Sequence, residues 1–265
     1  MGLLLLLLAS CHRPPTSYPE EAITLGWRLA PGMELTYRLA SRYAQGGQTV
    51  VREETWTYLV RSVDDLGSFS LEGRIVGLEA RIEEQGTAMD SERVEAAIEA
   101  ERERLTGDPV AFTLSMDGRI ATLDAPSWAD GLPHRLLGLR LPTDPVREGD
   151  RWPDPAAGRP FVDLVPAGLA VDVNGVHRLE ALSWAGHQRR SRFRGPWHLD
   201  ALFSTEAIVR PDDARVPALV LSGSATWNLD LGRLESRTLE VEERGGTSPG
   251  EAGAFSLRLE AVPLP

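Results

Sequence analysis

From Leu219 to Leu231 the chain alternates with a period of two. Leu219, Leu221, Gly223, Ala225, Trp227, Leu229 and Leu231 fall in one phase, with Ser222, Ser224, Thr226, Asn228 and Asp230 in the other. That period belongs to a strand with one face buried and one face wet, and it is incompatible with the 3.6-residue period of a helix. The same alternation recurs. Leu35, Tyr37 and Leu39 alternate with Glu34, Thr36 and Arg38, and Trp56, Tyr58 and Val60 share a phase. Val110, Phe112, Leu114 and Met116 follow, and Phe255, Leu257, Leu259 and Ala261 close the chain. Phe69, Leu71, Gly73 and Ile75 lie in one phase, whereas Val76, Leu78, Ala80 and Ile82 take the opposite one. A slip of one residue predicts a bulge between Gly73 and Gly77 in a long strand. The fold class that follows is mainly β, with curved antiparallel sheet.

Turn chemistry punctuates the strands. Asp117-Gly118, Asn174-Gly175 and Leu231-Gly232-Arg233 are the expected turns, with a loop over 245–253. One segment breaks the β pattern. Residues 88–105 are rich in Ala, Glu and Arg without Pro or Gly, and Val94, Ala97, Ile98 and Leu105 fit one helical stripe. We expect one acidic helix around 90–105, either solvated through i,i+4 pairs or docking a basic partner. A second, short helix is expected within 127–141. The Pro-rich stretch 142–168 should be mostly loop and separates an N-terminal β half (25–141) from a C-terminal one (142–265). Gly32 and Gly149 each precede an aromatic, and Thr55-Trp56 matches Thr226-Trp227. A duplicated meander is therefore one of the arrangements open to the chain.

Composition excludes several functions. The net charge of −11 argues against nucleic-acid binding, which needs a basic surface. All 28 basic residues are arginine, which removes Schiff-base and P-loop lysine chemistry. The single cysteine, Cys11, excludes an internal disulfide framework and a Cys-based zinc or iron–sulfur site. No cofactor is expected.

That cysteine ends the most informative segment. Leu3 to Leu8 is too short an apolar run to span a bilayer, but it suits the core of an export signal. Leu8-Ala9-Ser10-Cys11 resembles the bacterial lipoprotein lipobox. The resemblance implies a signal peptide over 1–10, cleavage before Cys11, and acyl chains on that residue. Residues 11–24 then form a Pro-rich tether, with Pro14, Pro15 and Pro19. His12 stands where the resemblance would place Asp for inner-membrane retention, which points to the outer membrane. With Pro145-Val146 and Gly149-Asp150-Arg151-Trp152, the order of motifs resembles uncharacterised exported bacterial lipoproteins. It is also similar to periplasmic carriers with curved antiparallel sheets. Neither resemblance brings catalytic residues.

No catalytic or metal motif stands out. His177 and His187, ten residues apart, are expected on neighbouring strands, a weak basis for a metal site. Ser222-Gly223-Ser224 sits in a strand and not on a nucleophile elbow. Asp212-Asp213, beside Pro211, reads as a turn. The segment His187–Arg194 runs against the acidic balance. As a strand it would present Arg190, Arg192 and Arg194 on one face, able to hold an anionic lipid headgroup. The alternative for these three is ordinary pairing with acidic residues across the sheet. The tryptophans are expected to anchor the core, and Trp128, near a Pro/Gly-rich stretch, is the one suspected of lining a groove. The reading is a non-catalytic, membrane-anchored envelope lipoprotein binding a lipid or a protein partner. The alternative is an envelope hydrolase using a carboxylate pair.

Overall fold

The computed structural model describes residues 19, 21–45, 48–84, 87–88, 96, 99–100, 109–124, 137–158, 161–162, 165, 168–188, 194–244 and 254–261. Twelve strands follow in chain order: β1 (Glu34–Gln45), β2 (Gln48–Val63), β3 (Phe69–Glu84), β4 (Thr87–Ala88), β5 (Val110–Leu114), β6 (Ile120–Asp124), β7 (Arg151–Pro153), β8 (Val171–Gln188), β9 (Arg194–Pro211), β10 (Ala218–Asn228), β11 (Arg233–Arg244) and β12 (Ala254–Ala261). They form one antiparallel sheet in the order β6-β5-β3-β2-β1-β12-β11-β10-β9-β8-β7, with β4 added to β3.

The order records two meanders. The first steps outward from the centre, from β1 to β6. The chain then crosses to the opposite edge at β7 and steps back to β12, which pairs with β1, Tyr37 opposite Ala261. The two halves join as one sheet at the β1–β12 pairing, and the Pro-rich stretch links its two outer edges.

The expected bulge is present. Trp56 pairs with Ile75 while Thr55 pairs with Gly77, so Val76 is the extra residue. It turns outward and is 60% exposed, and Leu78 resumes the buried phase. A second register shift falls between Thr226 and Trp227. Each Thr-Trp pair thus stands at an irregularity, where added twist bends the sheet and aims a tryptophan inward. Trp56 and Trp227 are both fully buried.

The sheet curls until its edges approach. Gly118 and Ile120 on the β6 side and Asp154 to Ala156 on the β7 side line one cleft. Residues 137–141 join the two edges. The Leu141 amide donates to the Asp117 carbonyl (2.9 Å), and the Trp152 indole donates to the Arg140 carbonyl (2.8 Å). A strap before β1 closes the lower end. Ile23 bridges Val146, the Trp27 amide donates to the Met116 carbonyl (3.0 Å), and the Arg28 amide donates to the Gly232 carbonyl (2.9 Å). Leu25, Trp27 and Leu29 point into the core, and Trp27 meets Trp227 edge-on at 4.8 Å. The strap satisfies its backbone groups on the turns of two hairpins, as a segment against a core must.

Two sequence expectations are overturned. Asn174-Gly175 is not a turn but lies inside β8. A Cβ on Gly175 would meet the Asp154 carbonyl oxygen at 2.5 Å and the Ala157 side chain at 2.7 Å. The glycine is there for close backbone approach, which sequence alone does not separate from a turn signal. His177 and His187 also share β8 and do not face each other from neighbouring strands. The acidic helix lies almost wholly outside the described residues, with helical backbone at Ala96, Glu99 and Ala100. Asp117-Gly118 and Gly232 are turns as expected, each glycine at positive φ, and Asp213 caps its own turn by accepting from the Arg215 amide.

Candidate functional site

The inner face of the curled sheet can be read row by row from the register. One row crosses eight strands: Gly175, Ala207, Leu221, Val241, Phe255, Tyr43, Val50 and Ile82. No residue in it is charged. Its two ends differ in cover. Beside β8 and β9, Ala157, Phe161 and Val165 are buried in the core, and a Cβ on Gly158 would meet Val209 at 2.6 Å. Over β2, Val50 remains 39% exposed and Ile82 is only partly buried. At its described side chains the row is apolar, covered at Gly175 and Ala207 and open at Val50.

Below it lies an ionic layer. Glu54 on β2 is buried, accepts a hydrogen bond from the Trp56 indole (2.6 Å) and pairs with Arg52. On the other wall, Asp154, His177 and Thr205 form a buried chain. His177 is fully buried, with Nε2 at 2.9 Å from Asp154 Oδ2 and Nδ1 at 2.9 Å from the Thr205 hydroxyl. Burial holds the imidazole below its usual pKa, so it is neutral. Burial works to raise the Asp154 carboxyl, but the hydrogen bond from His177, the Ala156 amide and the Arg237 charge outweigh it and hold the group ionised. An ionised carboxylate only accepts, so Nε2 carries the proton and Nδ1 accepts from Thr205.

Arg237 completes this layer. It projects from β11 in the phase of Leu239 and Val241, is 2% exposed, and none of its three guanidinium nitrogens has a hydrogen-bond partner. Burial pushes its pKa down to about 10, which leaves it charged at neutral pH. Below the ionic layer, Trp56 stacks on Tyr58 at 5.8 Å, and Tyr58 meets Phe112 and Tyr37 edge-on. This aromatic floor rests near the strap.

A separate carboxyl group draws attention at the foot of β9. Asp200 is pushed up to about 6, first by burial and then by the charges of Glu235 and Asp230, against the lowering pull of His198 at 3.3 Å. Outside the sheet, the seam between its edges holds a cleft of about 530 Å³ with Arg140, Arg151, Trp152 and Asn174 in its walls.

The residues singled out from sequence lie elsewhere. Cys11, Trp128, Arg190 and Arg192 fall outside the described residues. Arg194 opens β9 opposite Gln188, on a hairpin that continues past the last β10 pairing at Asp200 and Asn228. Trp27, Trp56, Trp152 and Trp227 are core anchors as expected. Among the described residues no group of His, Cys, Asp and Glu could hold a metal, and no helix is long and apolar enough to cross a membrane. Glu54, His177 and Arg237 were missed as a set. The signal was present: each occupies the apolar phase of its strand, where a charge needs a reason.

No family model matches the chain, and no curated protein matches it in sequence. Among solved structures, one of lipovitellin titled for its lipid–protein interactions superposes on 89% of this chain with a TM-score of 0.53 and 9% identity. The chain spans 26% of that lipovitellin chain. DynF, from the dynemicin biosynthesis pathway of Micromonospora chersina, aligns over 94% of the chain at 11% identity, with a TM-score of 0.20. The lipovitellin likeness concerns the fold.

Proposed function

We propose that this protein is a non-catalytic lipoprotein of a bacterial envelope, anchored through acyl chains on Cys11, whose curled sheet binds a lipid on its inner face. The observation that carries the reading is the uncharged row across eight strands, buried at Ala207, Leu221 and Val241 and open at Val50. Exposed apolar surface on a concave wall is costly in water and favours an apolar ligand. The shared fold with lipovitellin supports it, since that structure is described by its lipid contacts. The lipobox-like Leu8-Ala9-Ser10-Cys11 supports the anchor, and His12 after it supports the outer membrane. Multiple acyl chains hold a protein at a bilayer where one chain binds only marginally.

Purification from the host membrane followed by native mass spectrometry and lipid extraction tests both parts. The expected result is a protein mass beginning at Cys11 with added acyl groups, and a co-purifying lipid. A mass with an intact leader and no acyl increment removes the anchor. A ligand-free protein removes the lipid site.

One observation favours a second reading. Asp200, with its raised pKa beside Asp230 and Glu235, has the shape of a carboxyl acid next to a carboxylate, as a hydrolase requires. Neither seam cleft is lined by Asp200. The Asp154–His177–Thr205 chain has the connectivity of an activated nucleophile, but Thr205 is 2% exposed and an acyl group has no approach to it. Loss of a hydrolytic activity on envelope glycans in the D200N variant would establish the second reading.

A further inference from the structure

We propose that Arg237 is the headgroup anchor of the lipid site, so that the ligand is an amphiphile with an oxyanion head on an acyl chain. The proposal deepens the lipid-binding reading and rests on it. The guanidinium is buried, and its Nε, Nη1 and Nη2 donate to nothing. A buried donor left unpaired destabilises the fold, and more so when it is charged. The nearby acid cannot take the role. Asp154 is close enough to act on Arg237 by charge, but its Oδ2 is held by His177, its Oδ1 accepts from the Ala156 amide, and it forms no ion pair with Arg237. Of the other buried acids, Glu54 is engaged by Trp56 and Arg52, and Asp200 pairs with His198 at the foot of β9.

The register neighbour of Arg237 on β10 is Ala225, which offers the guanidinium no polar side chain. A planar fork with five donors matches a carboxylate or phosphate in bidentate fashion. The open end of the apolar row also lies at a suitable reach. From Arg237 to Val50 is three strands across and four residues along, which strand geometry makes about 20 Å, the length of a long acyl chain. A head at Arg237 thus directs its chain toward the exposed end of the row.

The test uses the full chain made by cell-free synthesis, which leaves Cys11 unacylated. Binding is measured for oleate, oleoyl lysophosphatidate and oleyl alcohol, which share one chain and differ in the head. The wild type should bind at least one of the two anions about tenfold more tightly than the alcohol. Preference for oleate identifies a carboxylate ligand, and preference for the lysophosphatidate a phosphate one. The R237M variant, which replaces a buried unpaired cation with an apolar chain, should stay folded and bind all three alike. The R237K variant keeps the charge, loses the fork, and should show a reduced preference. Equal wild-type affinity for anions and alcohol overturns the headgroup proposal and leaves lipid binding standing. Binding of none of the three overturns both.

Discussion

The two walls of the inner face are made of the same alternating strands but are finished differently. On β8 and β9, Ala157, Gly158 and Phe161 pack over the upper row, and the ionic layer beneath is a connected set: Asp154, His177 and Thr205, with Arg237 alongside. On β2 and β3, Glu54 and Arg52 form a local pair, and Val50 is left exposed. One wall is completed by its own chain, and the other presents an apolar surface. Strand pattern alone makes a wall that can be buried. Whether it is buried depends on the segment that connects β7 to β8.

The comparison can be broken at its most interdependent point first. Replacing His177 with Ala strands an ionised Asp154 in the interior, and chemical denaturation should show a loss of about 3–4 kcal/mol. A change of only a few tenths would mean that the covered wall does not depend on this cluster. Next, Gly175→Ala places a Cβ against the Asp154 backbone, which cannot swing aside, and should cost about 2 kcal/mol. Gly77→Ala, on the other wall, meets only the Thr55 side chain at 3.4 Å and should stay within about 0.5 kcal/mol. Similar losses at both sites would erase the distinction.

The third prediction concerns pH. The Asp200 pKa of about 6 in the fold lies above its unfolded value, so the folded state takes up the proton first. The group therefore destabilises the fold above pH 6, and that penalty is relieved as pH falls from about 6 toward 4. D200N, which also gives up the charge contact with His198, should stabilise the protein at pH 7 by about 1 kcal/mol and flatten the melting temperature between pH 4 and 6. An unchanged pH profile would show that Asp200 is not the titrating group. The smallest stability effect belongs to the open wall. Val50→Ser should move the melting temperature little, within about 0.5 kcal/mol, yet lower the amount of co-purifying lipid. Undiminished lipid would place the ligand away from this row.

Much of the fold was legible because period-two alternation has one structural meaning. The buried phases of β1, β2 and β10, the bulge at Val76 and the Asp117-Gly118 turn followed from it. Asn174-Gly175 misled because a glycine needed for close approach and one needed for a turn look alike in sequence. The candidate site was less legible. Arg237 and Asp154 are 83 positions apart in the chain. Only curling of the sheet brings them within electrostatic reach.

Local pattern, then, determined which residues form strands and which side of each strand seeks the core, since backbone geometry fixes side-chain direction residue by residue. The tertiary structure alone decided that β1 and β12 meet at the centre of the sheet, that Ala157 and Phe161 cover one wall, and that Arg237 ends up buried without a partner. These depend on contacts between distant segments, whose closure no local preference encodes.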